Sequence, residues 1–271
     1  MQRIPALDQM RRHFQVCRRS FKALLGKDIR LQIEHECATE HFGSRYGGWT
    51  ICADLLDQDS IVYSFGVGED ISFDLGLIAQ FDLVVFAFDP TPRSIQWVET
   101  QNVPDSFRLQ RYGIAPEDGS IRLHAPRDPR FVSHSVIPSH RGSVATIEAP
   151  VQRLTTILDT LGHRRIDLLK MDIEGMEYKV LDDLLSTSVL PKQLLIEFHH
   201  RFPGVGPSRT ESALRQLHEA GYRIFAYSPS GEEISLIRTG EEAKALASSS
   251  AGSRASNEAR PAGETTKSTI G

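Results

Sequence analysis

The chain has no uninterrupted apolar run near the ~20 residues that a membrane-crossing helix requires. Its opening residues, MQRIPALDQMRRHFQ, lack the apolar stretch of a secretory leader. Cysteine is scarce. There are three, Cys17, Cys37 and Cys52, with no CxxC pair among them. An odd, scattered set does not build a disulfide framework and suits a reducing compartment, so a cytoplasmic location is expected. An excess of positive charge is also missing, since 31 Lys and Arg face 35 Asp and Glu for a net charge of −4. That balance offers no general attraction for nucleic acid or for an anionic membrane. No internal repeat is found. These absences exclude a membrane-spanning protein, a disulfide-rich secreted module and a wholly disordered chain. What remains is globular: 40% hydrophobic and 24% charged residues in a chain of 271, enough for one large domain or two small ones.

The ends differ in character from the middle. Leu7, Met10, Phe14, Cys17, Phe21 and Leu24 recur at steps of three and four, which predicts a helical extension over residues 1–27. Arg11, Arg12, Arg18, Arg19 and Lys22 surround that stripe, and the expectation is a packed apolar side with a solvated basic face, the alternative being a surface that docks an anionic partner. Residues 247–271 are rich in Ser, Ala, Gly and Thr, with Ile270 as the one large apolar residue, and read as a disordered tail. Residues 28–246 then form the main domain. From Ile61 onward β-rich runs alternate with helical patterns: strands at 61–65, 83–88, 107–112, 166–171 and 194–198, helices at 72–80, 93–100, 154–161 and 176–185. Ser208 and Glu211 suggest a capping box opening one more helix, and 223–227 with 233–237 read as a terminal hairpin. This alternation predicts an α/β, doubly wound and mostly parallel sheet, with the hairpin supplying an antiparallel strand.

In such a sheet ligands bind beyond the carboxyl ends of the strands. The first candidate end is Phe65-Gly66-Val67-Gly68-Glu69-Asp70. Its two glycines permit a tight turn, but Ser72 and Phe73 stand where GxGxxG continues, and Asp70 is unsuited to a pyrophosphate. It suits a ligand carrying an ammonium group. The second end is Asp89, about 20 positions after Gly68, where an acidic residue meets ribose hydroxyls. The third is Gly113-Ile114, a small and an apolar residue suited to an adenine face, or a plain turn. Together the ends favour a nucleoside-containing cofactor.

IDLLKMDIEGMEYKVL (Ile166–Leu181) resembles the signature of the FkbM-type S-adenosylmethionine-dependent methyltransferases. IVYSFGVGEDISFD, VFAFDPTP and LLIEFHHRF fit the same pattern in the same order. The resemblance implies a seven-stranded Rossmann-like sheet and S-adenosyl-L-methionine as cofactor. It further implies that Phe65, Gly66, Gly68, Asp70, Ser72 and Phe73 surround the methionine end, that Asp89 and Pro90 hold the ribose, and that Gly113 and Ile114 lie near adenine. Ser64 is a departure, since many class I methyltransferases are acidic there.

A hydroxyl acceptor needs a base as its proton leaves. Asp172, Glu174 and Glu177 follow one strand, and Glu197, His199 and His200 follow the next. Asp172 is the expected central carboxylate and His199 the expected base, with His200 facing away by strand alternation. Asp172, Glu197 and His199 could instead hold a hard divalent ion such as Mg²⁺. Residues 127–142 and 202–207 are expected to bound the acceptor pocket. The reading is a methyltransferase acting on a hydroxyl of a carbohydrate or secondary metabolite. The alternatives are a nicotinamide-dependent oxidoreductase and a non-catalytic binding module. A small-molecule acceptor is a better fit than nucleic acid, and the oligomeric state is not legible.

Overall fold

A computed structural model describes residues 14, 16, 18, 19, 21–126, 128, 133–137 and 145–240. The expected tail, 247–271, lies outside the described residues. The compact unit that carries the sheet ends at Arg238. Among the described residues no helix is long and apolar enough to cross a membrane.

The central strands are β3 (Ile61–Phe65), β4 (Val84–Phe88), β5 (Phe107–Gln110), β9 (Leu168–Met171) and β10 (Gln193–Glu197). With β11 (Tyr222–Tyr227) and β12 (Glu233–Arg238) they form one seven-stranded sheet in the order β11-β12-β10-β9-β3-β4-β5. Neighbours from β10 to β5 pair in parallel, and β12 runs antiparallel between β10 and β11. This is the expected Rossmann-like, doubly wound sheet with its antiparallel terminal hairpin.

Strand alternation explains the two-sided core. Tyr63, Phe65, Phe86, Phe88, Leu169, Met171, Leu194 and Ile196 point to one face. Val62, Val85, Ala87, Leu168 and Leu195 point to the other. The first face is covered by α3 (Leu154–Leu161), α4 (Glu177–Leu185) and α5 (Pro207–Glu219). The second is covered by α1 (Ser72–Phe81) and α2 (Pro92–Glu99). Continuous apolar strands are what a sheet covered on both faces demands.

Local chemistry sets the boundaries. Thr91 is the N-cap of α2 with Pro92 inside the first turn, as its sequence predicts, but the Thr91 hydroxyl donates to Asp89 instead of capping its own helix. Gly162 ends α3 in the left-handed conformation that glycine adopts cheaply. The expected capping box of α5 does not form. That helix opens at Pro207 with Gly206 as N-cap, one residue before Ser208.

Two small sheets were not anticipated. β1 (Thr39–Phe42) and β2 (Trp49–Cys52) make an antiparallel ribbon, and Trp49 and Ile51 join the second core face. β6 (Gly113–Ile114), β7 (Gly119–His124) and β8 (Thr146–Gln152) make a three-stranded sheet. Its strand pattern is weak because its exposed positions outnumber its buried ones.

The glycine turn after β3 is fixed by crowding at one residue and by conformation at another. A Cβ on Gly66 (φ +82°) would lie 1.8 Å from the Asp172 carbonyl oxygen, which is main chain and cannot yield. Gly68 (φ +58°) has open space around it. Gly66→Ala is therefore expected to cost about 2–4 kcal/mol, a fall in Tm of roughly 10 °C for a domain of this size. Gly68→Ala pays only the left-handed backbone penalty, about 1 kcal/mol. Thermal unfolding of both variants checks the contrast, and equal losses would refute it.

Candidate active site

The carboxyl ends of β3, β4, β9 and β10 lie side by side, so Gly66, Asp89, Asp172 and Glu197 share one edge of the sheet. The Gly66 amide donates to the Phe88 carbonyl and the Asp172 amide to the Phe65 carbonyl, which locks three strand ends in register. Below them Lys170 is buried in the middle of β9. Its ammonium donates to the Gly66 carbonyl at 2.6 Å and fixes the turn from beneath. Asp74, fully buried in α1, sits beside Ser64 and Lys170. Burial pushes its carboxyl pKa up and Lys170 pulls it back only in part. Ser64 thus has a buried acidic neighbour in Asp74.

The turn Asp172–Glu177 is built from two left-handed residues, Glu174 (φ +51°) and Gly175 (φ +101°). A positive φ at glutamate is strained and needs support from its surroundings. Support comes from two sides. The Ser135 hydroxyl donates to the Glu174 carbonyl at 2.9 Å, and Glu177 accepts the Gly175 amide at 2.8 Å. Glu177 is the first residue of α4 and is completely buried. Its other oxygen accepts the His199 amide at 2.8 Å and faces the His199 Nδ1 at 3.2 Å.

His199 Nε2 then points into a nest of carboxylates: Glu174 at 3.5 Å, Asp172 at 3.8 Å and Glu197 at 3.9 Å. Burial alone would lower the imidazole pKa, but the bond to Glu177 and the charges of Glu174, Glu177 and Asp172 outweigh it and push it up to about 10. Burial, and then the neighbouring Asp172 charge, raise Glu197. Burial also raises Glu174, with His199 opposing it. One Asp172 oxygen, Oδ1, is buried without a hydrogen-bond partner. His200 faces away, as alternation predicts, and its Nε2 meets Asp28 at 3.1 Å.

The other expected site residues fall into three groups. Asp70 accepts hydrogen bonds from the Ser44 hydroxyl and the Ser72 amide. Burial opposes its charge, but these bonds and that of the Gly47 amide hold its carboxyl below the usual range. Ser72 Oγ accepts the Ser44 amide, so both residues clamp the loop 43–48. That loop carries Tyr46, whose ring is 85% exposed. Partial desolvation raises its phenol pKa, and the charges of Asp172, Glu197, Glu174 and Asp70 raise it further.

Asp89 is buried. It accepts the Val67 and Gly68 amides on one oxygen and the Thr91 amide and hydroxyl on the other. Four bonds fill the acceptor capacity of a carboxylate. Pro90 packs against Gly113, where a Cβ would lie 3.1 Å from Pro90 Cγ, and Ile114 is buried beside it. The side chains of Phe65 and Phe73 lie in the core. Phe65 stacks on Phe88 at 4.2 Å between ring centres, so its contribution to the edge is main chain.

The expected metal set changes in composition. Asp172, Glu174 and His199 each offer a ligand atom within 4.8 Å of the others, so Glu174 takes the place foreseen for Glu197. A cavity of about 300 Å³ opens beside this turn, lined by Val136, Ile137, Met176, Pro203 and Val205 with Lys179 and Arg209. It brings together the two segments expected to bound an acceptor. Arg127, Pro129, Pro138, His140 and Arg141 of the first segment lie outside the described residues. The sequence pattern gave Glu177 no role of its own and overlooked Lys170 and Tyr46. A lysine inside the apolar run IDLLKM was the available signal, because a buried ammonium requires acceptors.

Residues 81–224 match the family model described as the methyltransferase FkbM domain. The probable methyltransferase-like protein 24 of Rattus norvegicus and that of Homo sapiens are each 28% identical over 196 residues. The alignment covers 65% of this chain and 47% of either relative, so the chain spans about half the length of the curated relatives it matches. Among solved structures, a methyltransferase FkbM from Methylobacillus flagellatus gives a TM-score of 0.42 at 15% identity, over 67% of this chain and 44% of that one. P. horikoshii TYW2 in complex with MeSAdo gives 0.32 at 11% identity, over 87% and 86%. The family match covers more than half of the chain, includes the ends of β4, β9 and β10 though not that of β3, and lends no support to a nicotinamide-dependent oxidoreductase; the chain belongs to the FkbM methyltransferase domain family.

Proposed function

We propose that the chain transfers a methyl group from S-adenosyl-L-methionine to a hydroxyl of a small polar acceptor, such as a carbohydrate or a secondary metabolite. The observation that carries this reading is the convergence of Asp172, Glu174 and Glu197 on His199 at the carboxyl edge of the sheet. Such an edge suits a cationic ligand beside an acceptor that must lose a proton. The cofactor supplies a sulfonium-activated methyl group. Gly66, Gly68, Asp70 and Ser72, with the main chain at Phe65 and Phe73, would hold its cationic methionine end. Asp89 and Pro90 would serve the ribose, Asp89 by exchanging amide bonds of the glycine turn for hydroxyls. Gly113 and Ile114 would border adenine.

Asp172 takes the proton in this reading, because its side chain is partly exposed at the end of β9 while its Oδ1 faces the His199 Nε2 at 3.8 Å, with no hydrogen bond to that oxygen among the described residues. His199 is a positioning residue. An imidazole held in its protonated form has no lone pair with which to accept a proton, but its charge keeps three carboxylates together. Turnover separates this function from a non-catalytic module that keeps the fold. S-adenosyl-L-methionine is expected to raise the melting temperature where NAD does not, and no shift with the former overturns the reading. Asp172→Asn is expected to lower kcat by about 10²-fold or more, the usual worth of a positioned base. Undiminished methyl transfer in that variant refutes the assignment.

A second reading has an observation of its own, the three ligand atoms of Asp172, Glu174 and His199. If a divalent ion is required, dialysis against a chelator abolishes activity and Mg²⁺ restores it. Activity that is indifferent to the chelator removes this reading.

The charge arrangement also predicts a pH dependence of stability. The His199 pKa is raised above 6.5, so its stabilising contribution is complete below that pH and is lost as pH climbs through about 10. The melting temperature should fall between pH 6 and pH 10. Glu177→Gln should lower it by an amount equivalent to about 3 kcal/mol at neutral pH and make the descent shallower, since the principal partner of His199 is gone. A flat profile in the parent protein would contradict the protonated state of His199.

A further inference from the structure

The N-terminal helix is inside out relative to its sequence. Residues 14, 16, 18, 19 and 21–24 are helical. Apolar members of the stripe should pack inward, yet Phe14 is 71% exposed, Phe21 63%, Leu24 71% and the adjoining Leu25 53%. The buried residue is a cation. Arg19 is 8% exposed, its guanidinium lies 4.7 Å over the Tyr227 ring, and it packs against Gly231, where any Cβ would meet it. At about 100° per residue, Phe14, Phe21 and Leu24 fall in one arc of roughly 80°, with Arg19 on the opposite side and Leu25 in the turn that follows. Among the described residues the helix is thus anchored through Arg19 and presents Phe14, Phe21 and Leu24 outward; Leu7, Met10 and Cys17 of the stripe lie outside the described residues.

Charge selects the occupant of that stripe. Residues 11–27 hold Arg11, Arg12, Arg18, Arg19, Lys22 and Lys27 and no Asp or Glu, in a chain whose net charge is −4. We propose that this helix docks the protein in the plane of an anionic lipid surface, with Phe14, Phe21, Leu24 and Leu25 entering the acyl boundary and Arg18, Lys22 and Lys27 meeting the headgroups. A basic amphipathic helix with Phe and Leu on one side binds in this way through apolar burial and electrostatic attraction together. Nucleic acid would satisfy the cations but leave the stripe in water. A second copy would cover the stripe but oppose two cationic segments. The anionic bilayer uses both features. The surface is separate from the acidic edge of the sheet and stands whether or not the proposed methyl transfer is correct.

Vesicle co-sedimentation of the full chain tests this. Binding is expected to vesicles of phosphatidylcholine with about 30% phosphatidylglycerol and to be at least tenfold weaker on phosphatidylcholine alone. Raising salt from about 0.1 to 0.5 M should weaken it severalfold, because the Debye length shortens. The double variant Phe21→Glu/Leu24→Glu should lose at least tenfold in partitioning. Its melting temperature should be unchanged, since both side chains are exposed. Equal partitioning of variant and parent, or none on anionic vesicles, overturns the proposal. So does a concentration-dependent dimer in sedimentation velocity that the double variant abolishes, which would assign the face to a second copy.

Discussion

One buried carboxylate holds the acidic edge of the sheet together. Glu177 reaches back to the Gly175 amide across its own turn and forward to the main chain and ring of His199 after β10. The segments that follow β9 and β10 are joined by that single side chain across 22 residues of sequence. Both contacts pair a full charge with a donor in a dry setting, where a charge-assisted hydrogen bond is strong and a missing one is costly. The left-handed turn at Glu174 and Gly175 persists because Glu177 and Ser135 satisfy it from either side. Without that turn the acidic side chains would not converge.

The second constraint is electrostatic. Four carboxylates gather around one imidazole, an arrangement that repels itself unless protons or cations intervene. The fold partly answers this by keeping His199 protonated and by raising Glu174 and Glu197. The residual demand for positive charge is a chemical property of the edge, and it matches a cationic co-substrate better than an anionic one. On the other flank Asp89 performs a mechanical task. It ties the glycine turn of β3 to the start of α2 with four hydrogen bonds, so the shape of the turn and the end of β4 are set together.

Much of the framework was legible in the chain itself. Runs such as LVVFAF have no exposed side and therefore declare a strand covered on both faces. Thr91 and Pro92 mark a helix start by backbone geometry alone. The order of the segments pointed to a mostly parallel sheet with an antiparallel hairpin, while the spatial order of its strands came from the structure. Less regular pieces were not legible. β7 and β8 hold only three buried residues between them, so no apolar alternation announces them. Ser208 had a capping pattern, yet Gly206 and Pro207 had already begun the helix. At the N-terminus the apolar stripe was visible, but the side on which it would lie depended on Tyr227 and Gly231, more than two hundred residues away.

The sequence by itself determined the alternation of strands and helices, the glycine turn, and the chemistry gathered at 172–177 and 197–200, because these follow from local backbone preference and side-chain type. Tertiary structure decided what those groups do. It spent Gly66 on the approach of the Asp172 carbonyl and placed Lys170 under the turn. It buried Phe65 in the core, filled Asp89 with backbone bonds and surrounded His199 with carboxylates. A pKa, an unpartnered oxygen and an outward-facing stripe are properties of surroundings, and surroundings exist only once distant segments have packed.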